Sequence, residues 1–452
     1  MKKKNTSLRF QHNQKTNTTK TTPIGKKQRL IIERLSHDGR GITKLQDKTW
    51  FVAGALPQEE IEARVISSQS QWVNARCERI ITPSSLRQES PCHYAGACGG
   101  CELQHIPYTE QIQLKQNSVI DQFQRFSAIT ITNWQPPLIG EPFGYRRRAR
   151  IAVRFDEKIK TLLIGFRAAF SQQIISIRNC LVLTKSLRQL LEKLPDCLNT
   201  LNTPLSIGHI ELFEGNHTAI LIRHIKPLDE TDIEQLQLFC QENQCQLWLQ
   251  GKDKPIPYEK TSLLSYALSL GEKQLHLNYK MGDFIQVNEL INQKMVMQAL
   301  HWLNIQSNDI ILDLFCGLGN FTLPIATQAK KVIGIEVSED MVKSAKANAI
   351  KNKLSNAEFY QADLSQDLTG KTWAKEKFST IVLDPPREGA MQIVKQINKL
   401  NAQRILYISC NPATLARDAE LLIKQGYQIT KAGIMDMFPQ TSHIETMVLF
   451  ER

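Results

Sequence analysis

Cys410 stands where an apolar run, Leu406-Tyr407-Ile408-Ser409, gives way to Asn411-Pro412, a pattern that ends a strand and opens a helix. A thiolate is a strong nucleophile even when only a few per cent ionised, and a helix start favours that form. Glu445, in His443-Ile444-Glu445-Thr446, opens a later apolar run and offers a carboxylate able to take a proton. Asp384 heads Asp384-Pro385-Pro386-Arg387 at the end of a third run. Upstream, Cys92, Cys98, Cys101 and Cys180 form a separate set, and Gly99 and Gly100 leave the backbone free to turn two sulfurs toward one centre. Four such thiolates hold zinc or an iron–sulfur cluster, and spacing alone separates these poorly. Taken singly, a cysteine at a strand end is more often packing, and a glutamate at a strand start more often a solvated flank.

Those residues act together only if their apolar runs lie in one sheet. From residue 289 onward apolar strands alternate with helix-length segments, the strands expected at 310–315, 332–337, 357–361, 379–384, 404–409, 428–434 and 445–450. That spacing predicts a doubly wound α/β domain over 289–452. The carboxyl ends of its strands form the active-site edge, so Cys410 faces the same crevice as Asp384. Asp313-Leu314-Phe315-Cys316-Gly317-Leu318-Gly319-Asn320 follows the first strand, and its two glycines let the backbone turn tightly against a ligand. Val332-Ile333-Gly334-Ile335-Glu336 then ends the second strand in an acid, 17 residues after Gly319, placed to accept two ribose hydroxyls. A dinucleotide enzyme would use the same spacing. With the third strand ending at Ala362-Asp363 and the fourth at Asp384-Pro385-Pro386-Arg387, the combination resembles class I S-adenosylmethionine-dependent methyltransferases, a Rossmann-like fold.

That resemblance implies that Glu336 holds the ribose and Asp363 the adenine amino group, with Phe315, Asn320 and Asp384 in the same pocket. Methylases of exocyclic amines commonly carry an aromatic after Asp-Pro-Pro; Arg387 has that place here, which disfavours an amine target. Carbon 5 of a pyrimidine needs a nucleophile on carbon 6 before it accepts a methyl, a role that suits Cys410. Asp-Pro-Pro-Arg, Ser-Cys-Asn-Pro and His-Ile-Glu-Thr, in order on successive strand edges, resemble the RNA uracil-5-methyltransferase family over nearly the whole chain. The family implies S-adenosylmethionine as methyl donor, Gln286 in Phe284-Ile285-Gln286-Val287-Asn288 as a further cofactor contact, Cys410 as nucleophile and Glu445 as the base that removes the carbon 5 proton. It also implies that the seventh strand is antiparallel. Cytosine-5 RNA methyltransferases use cysteine too, but in different motifs.

The rest of the chain supplies surfaces. Short strands and turns from Arg29 to about Pro83 predict a small OB-type barrel over 23–83, a fold whose commonest clients are nucleic acids. Gly39-Arg40-Gly41-Ile42 and Phe51-Val52-Ala53-Gly54-Ala55-Leu56-Pro57 resemble the TRAM domain of RNA-modifying enzymes. Residues 84–288 are expected to form a central RNA-binding domain, with an amphipathic helix over 108–126 and then β structure to about 285. In Tyr145-Arg146-Arg147-Arg148-Ala149-Arg150, period-two alternation sets Arg146, Arg148 and Arg150 on one face and Tyr145 and Arg147 on the other. Such a row suits RNA phosphates, or a solvent-facing edge strand.

The cysteine pattern resembles the [4Fe–4S] site of the family's bacterial ribosomal-RNA branch, which implies that Cys92, Cys98, Cys101 and Cys180 hold such a cluster. The spacing departs from the Cys-x3-Cys-x2-Cys of radical enzymes. Barrel, cysteines and catalytic motifs together imply 23S ribosomal RNA as substrate, with transfer RNA the alternative; a catalytically silent RNA-binding or assembly protein is the other class.

Among 452 residues the net charge is +12, yet residues 1–29 hold nine Lys or Arg and no acid, leaving about +3 for the remainder. Residues 1–22 read as a disordered basic arm, a phosphate-attracting element or a plain solvated tail. No stretch reaches the ~18 apolar residues of a membrane span, and no secretory signal opens the chain. A cytoplasmic monomer without membrane or protein partner is expected, its ten cysteines serving as ligands, nucleophile or packing.

Overall fold

The computed structural model describes residues 21–259, 263–368 and 370–452; the basic arm expected at 1–22 lies outside them except for its last two positions. The chain divides into two compact units, the first running to Ser85 apart from residues 37–39.

Alternating buried and exposed side chains make the first unit a barrel of β1 (Lys27–Ile31), β2 (Arg34–Leu35), β3 (Gly41–Leu45), β4 (Lys48–Ala53), β5 (Glu60–Ser68) and β6 (Trp72–Thr82), in the order β1-β5-β6-β4-β3-β2. β1 and β2 are the two halves of one bent segment. Ile32 N donates to Glu59 O on the β5 side, and Glu33 N to Ile42 O on the β3 side, so this segment closes the sheet. Trp50, Val52, Ile61 and Val73 fill the interior.

The second unit contains the other two large sheets. After α1 (Tyr108–Ser127) come β7 (Arg148–Asp156), β8 (Thr161–Arg167), β9 (Ile174–Ser176), α2 (Lys185–Asn199), β10 (Ile207–Glu214), β11 (Thr218–His224), α3 (Glu230–Glu242), β12 (Cys245–Gln250) and β13 (Ile256–Pro257). The seven strands lie in the order β13-β12-β11-β10-β7-β8-β9. Two helices, α2 and α3, thus stand within the region expected to be β-rich. α2 forms because Leu187, Leu190, Leu191, Leu194 and Leu198 recur at helical spacing and are all buried. α1 has a different allegiance from its position in the chain, since Val119 and Phe123 pack in one core with Leu415, Ala419 and Leu422 of the last sheet's layer.

A hairpin of β14 (Leu264–Leu270) and β15 (Lys273–Tyr279) precedes α4 (Glu289–Leu303). The last sheet then follows through β16 (Ile310–Leu314), α5 (Thr322–Ala326), β17 (Lys331–Glu336), α6 (Glu339–Lys351), β18 (Ala357–Gln361), β19 (Thr380–Leu383), α7 (Met391–Val394), β20 (Arg404–Ser409), α8 (Pro412–Lys424), β21 (Gln428–Met435) and β22 (Glu445–Glu451). Each strand lies within a residue of its expected bounds. The order is β18-β17-β16-β19-β20-β22-β21, parallel except that β22 runs antiparallel to both neighbours. Helices cover both faces, which is why β16, β19 and β20 are apolar runs and not alternating ones. Among the described residues no helix is long and apolar enough to cross a membrane.

Candidate active site

β20 ends at Ser409, opposite Thr446 of β22, so Cys410 and Glu445 occupy adjoining positions at one sheet edge. The turn after Ser409 is a helix cap. The Asn411 side chain accepts from Ala413 N at 3.1 Å and donates to Arg387 O at 3.0 Å; Thr414 Oγ1 also donates to Arg387 O, at 3.3 Å. Two bonds from the α8 start therefore hold the Asp384-Pro385-Pro386-Arg387 loop beside Cys410. Farther along, Asp418 Oδ2 accepts from Ala390 N at 2.7 Å and from Tyr407 OH at 2.8 Å, and Arg417 donates to Glu388 O at 3.0 Å.

Burial dominates the electrostatics of this edge. Glu445 is 8% exposed, and burial followed by the Asp384 charge holds its carboxyl well above the usual range, with Arg387 opposing. Burial pushes Asp384 up to about 7. The Cys410 thiol is pushed up to about 11 by burial, then by Glu445 and Asp384, again against Arg387. A thiolate favoured by the helix start was expected; desolvation and two carboxylates outweigh the partial charge of one helix end.

Of the expected cofactor residues, Glu336 ends β17 and accepts Gly317 N at 3.2 Å and Ser338 N at 3.0 Å, one on each oxygen. A carboxylate has lone pairs left after two such bonds, enough for a diol. Phe315, Gly317 and Gly319 all have positive φ, so the loop after β16 curls at the strand end as a ligand cradle does. Buried Asp313 lies at the same place: Thr322 donates to its Oδ2, while Oδ1 has no hydrogen-bond partner, and burial pushes it up to about 7. Sequence reasoning passed over Asp313, although an acid inside an apolar strand was the signal. Asp363 lies at the β18 end, exposed, accepting from Ser365 N, Ser365 Oγ and Gln366 Nε2, and these bonds hold its carboxyl below the usual range. Asn320 is engaged with protein: it exchanges amide bonds with Asn292 at 2.8 and 3.0 Å and accepts from Tyr266 OH at 3.0 Å. Gln286 is half-buried, with its carbonyl accepting from Arg147 Nε at 2.9 Å. The glycine loop, free oxygen positions on Glu336 and the unpartnered Asp313 oxygen fit a nucleoside-bearing cofactor.

Cys92, Cys98, Cys101 and Cys180 line one cavity of ≈ 190 Å³, with Tyr94, Gln104 and Phe166. Cys98 bridges to Ala168 and Gly99 N donates to Arg167 O at 2.9 Å, docking the loop on the β8 end. A Cβ on Gly99 would stand 3.0 Å from Arg167 O, so close approach requires this glycine; at Gly100 it would meet only Cys98 Sγ, at 3.5 Å. Burial pushes Cys101 up to about 12 and Cys180 up to about 11, with neighbouring cysteines adding to each. Among the described residues no three or more His, Cys, Asp or Glu side chains are drawn together as a metal-holding group. None of the four is in a disulfide and all four line this one cavity, the donor set a thiolate-ligated centre would use.

The arginine row alternates as expected, but its members are partly committed. Arg147 is 2% exposed, over the Tyr266 ring at 4.8 Å and 3.4 Å from Glu289. Arg148 pairs with Glu211 at 3.0 Å and covers Phe213. Arg150, exposed, reaches His209 at 3.1 Å and lines a groove with Arg154 and Arg167.

Residues 107–452 match the tRNA (Uracil-5-)-methyltransferase family and residues 22–77 the TRAM domain. The 23S rRNA (uracil(1939)-C(5))-methyltransferase RlmD of Pseudomonas putida is 51% identical over 450 residues, 100% of this chain and 99% of the relative. Its counterpart from Pseudomonas syringae pv. tomato is 52% identical, with 95% of each chain covered. In architecture the chain is similar to the crystal structure of Pyrococcus abyssi tRNA (uracil-54, C5)-methyltransferase in complex with S-adenosyl-L-homocysteine, with TM-score 0.71, 23% identity, and 94% of this chain and 100% of the other covered.

Proposed function

The chain belongs to the tRNA (Uracil-5-)-methyltransferase family, and on that premise we propose that it methylates carbon 5 of a uridine in 23S ribosomal RNA, working as a cytoplasmic monomer. The observation that carries the chemistry is the pairing of Ser409 with Thr446, which sets a thiol and a carboxyl side by side at the sheet edge. The substrate reading is supported by full-length identity to relatives named for 23S RNA.

S-adenosylmethionine supplies an electrophilic methyl group; Glu336, Asp363, Phe315, Asn320, Gln286 and Asp384 are the residues we assign to holding it. Cys410, ionised to its thiolate, adds through Sγ to carbon 6 of the uracil, and the electron pair displaced from the 5,6 double bond makes carbon 5 nucleophilic. Once carbon 5 carries the methyl, Glu445 takes its proton. The released pair re-forms the double bond and expels Cys410 as thiolate. The base must leave its stack for a thiol to reach one face, so unpaired uridines suit this site.

The same reading divides the chain into a basic arm at 1–22, a TRAM barrel at 23–83, a central RNA-binding domain at 84–288 and the catalytic domain at 289–452. Cys92, Cys98, Cys101 and Cys180 hold a [4Fe–4S] cluster that organises the fold or the RNA surface, since no step above needs an electron. Mass-spectrometric mapping of 5-methyluridine in cells with and without the gene tests the substrate. One methyl should vanish from 23S RNA; loss from transfer RNA alone would overturn the proposal.

A further inference from the structure

β22 begins with Glu445, opposite Met435 at the end of β21, and residues 436–444 form the long loop that joins the two strands. This loop is tied down from outside the sheet. Lys115 Nζ donates to Asp436 Oδ1 at 2.5 Å and to Phe438 O at 3.1 Å, and Tyr145 OH to Pro439 O at 2.9 Å. The densest tie is at Gln440, which is 2% exposed and has φ of 68°, a left-handed conformation uncommon for a residue other than glycine. Leu103 N donates to Gln440 O at 3.1 Å. Gln111, fully buried, accepts from Gln440 N at 3.2 Å and donates to Gln440 Oε1 at 3.0 Å, while the same amide also donates to Leu103 O and Ile106 O. Beyond it, Ser442 N donates to Glu102 Oε2 at 3.3 Å.

Residues 102–111 directly follow Cys98-Gly99-Gly100-Cys101, so the cysteine loop and the strap leading to Glu445 share one hydrogen-bonded seam. A strained backbone persists only where its surroundings over-determine it, and here the surroundings are Leu103 and Gln111. We propose that Gln111 and Gln440 are positioning residues for Glu445, and that this seam serves the removal of the carbon 5 proton and not the transfer of the methyl. The inference rests on the assignment of Glu445 as base. Cys410 and the cofactor loop hang from β20 and β16, which the strap does not carry. Loosening the seam displaces the carboxyl alone, and displacement on the scale of 1 Å is enough to slow a step by about a hundredfold.

The test compares Gln111→Leu and Gln440→Gly with the parent in single-turnover reactions on an RNA fragment holding the target uridine. Two rates are read: appearance of the detergent-resistant protein–RNA adduct, and its disappearance as methylated RNA is released. Gln440→Gly keeps the left-handed backbone accessible and should fold even where Gln111→Leu does not. Each folded variant should form adduct within about twofold of the parent rate and lose it roughly tenfold or more slowly. Equal slowing of both rates, or no slowing of either, would overturn the inference. Glu445→Gln runs alongside as the benchmark. If it releases RNA at the parent rate, the assignment of Glu445 fails first, and that failure is visible without reference to the seam variants.

Discussion

Cys410 and Glu445 adjoin because β22 runs against β20, with Ser409 opposite Thr446. A parallel last strand would have put Glu445 at the far edge of the sheet, about 20 Å from the thiol for a six-residue strand. One antiparallel strand thus brings together the proposed nucleophile and the proposed base from residues 35 positions apart in sequence.

In the proposed mechanism the two residues act at different steps, so their variants should fail differently. Cys410→Ala should abolish both methylation and adduct formation. Glu445→Gln should still transfer the methyl and then stall, leaving a band of reduced mobility that survives denaturing detergent. Normal turnover by Glu445→Gln, or an adduct from Cys410→Ala, would reverse the assignment.

The C-terminal sheet was legible because strands such as Thr380–Leu383 and Arg404–Ser409 are apolar on both faces and end abruptly in Asp384-Pro385 and Cys410-Asn411. What was not legible depends on partners distant in sequence. Nothing near Arg148 signals that Glu211 will neutralise it, and nothing near Val119 says that α1 packs with α8 rather than with the sheet that follows it. The Cys410 thiol was misjudged for the same reason. Its helix start is local and readable, whereas Glu445 and Asp384 reach it only through the fold. The leucines of α2 were readable, and their period was passed over in a region dominated by strands.

Protein purified without oxygen should contain about four irons per chain and a broad absorbance near 400 nm, as thiolate-ligated clusters give. Serine at Cys92, Cys98, Cys101 or Cys180 should remove it. Stoichiometric zinc without iron would replace the cluster with a zinc site in the same cavity.

Deleting residues 1–83 should weaken RNA binding and flatten its dependence on salt, because each phosphate-neutralising Lys or Arg adds about 0.7–0.9 to the slope of log affinity against log salt. The first 29 residues alone bring nine such side chains. Affinity for S-adenosylmethionine should be unchanged, since the residues proposed to hold it all lie after residue 285. An unaltered salt slope would show that arm and barrel do not meet RNA.

The last prediction concerns the charge on Cys410 before substrate arrives. With the thiol pushed up to about 11, on the order of one molecule in ten thousand carries the thiolate at pH 7. The sign follows: a thiol raised by burial and neighbouring carboxylates gains thiolate as pH rises, so alkylation of Cys410 by iodoacetamide should climb about tenfold per pH unit through pH 8 and 9. Glu445→Gln removes one charge that raises the thiol, so the whole profile should move to lower pH. Arg387→Ala removes a cation that opposes this shift, so the profile should move higher. The readout is the mass of the Cys410 peptide after timed labelling, compared with that of exposed cysteines in the same digest. A rate that levels off below pH 8 would mean the thiolate is already formed at rest, and that the helix start outweighs burial after all.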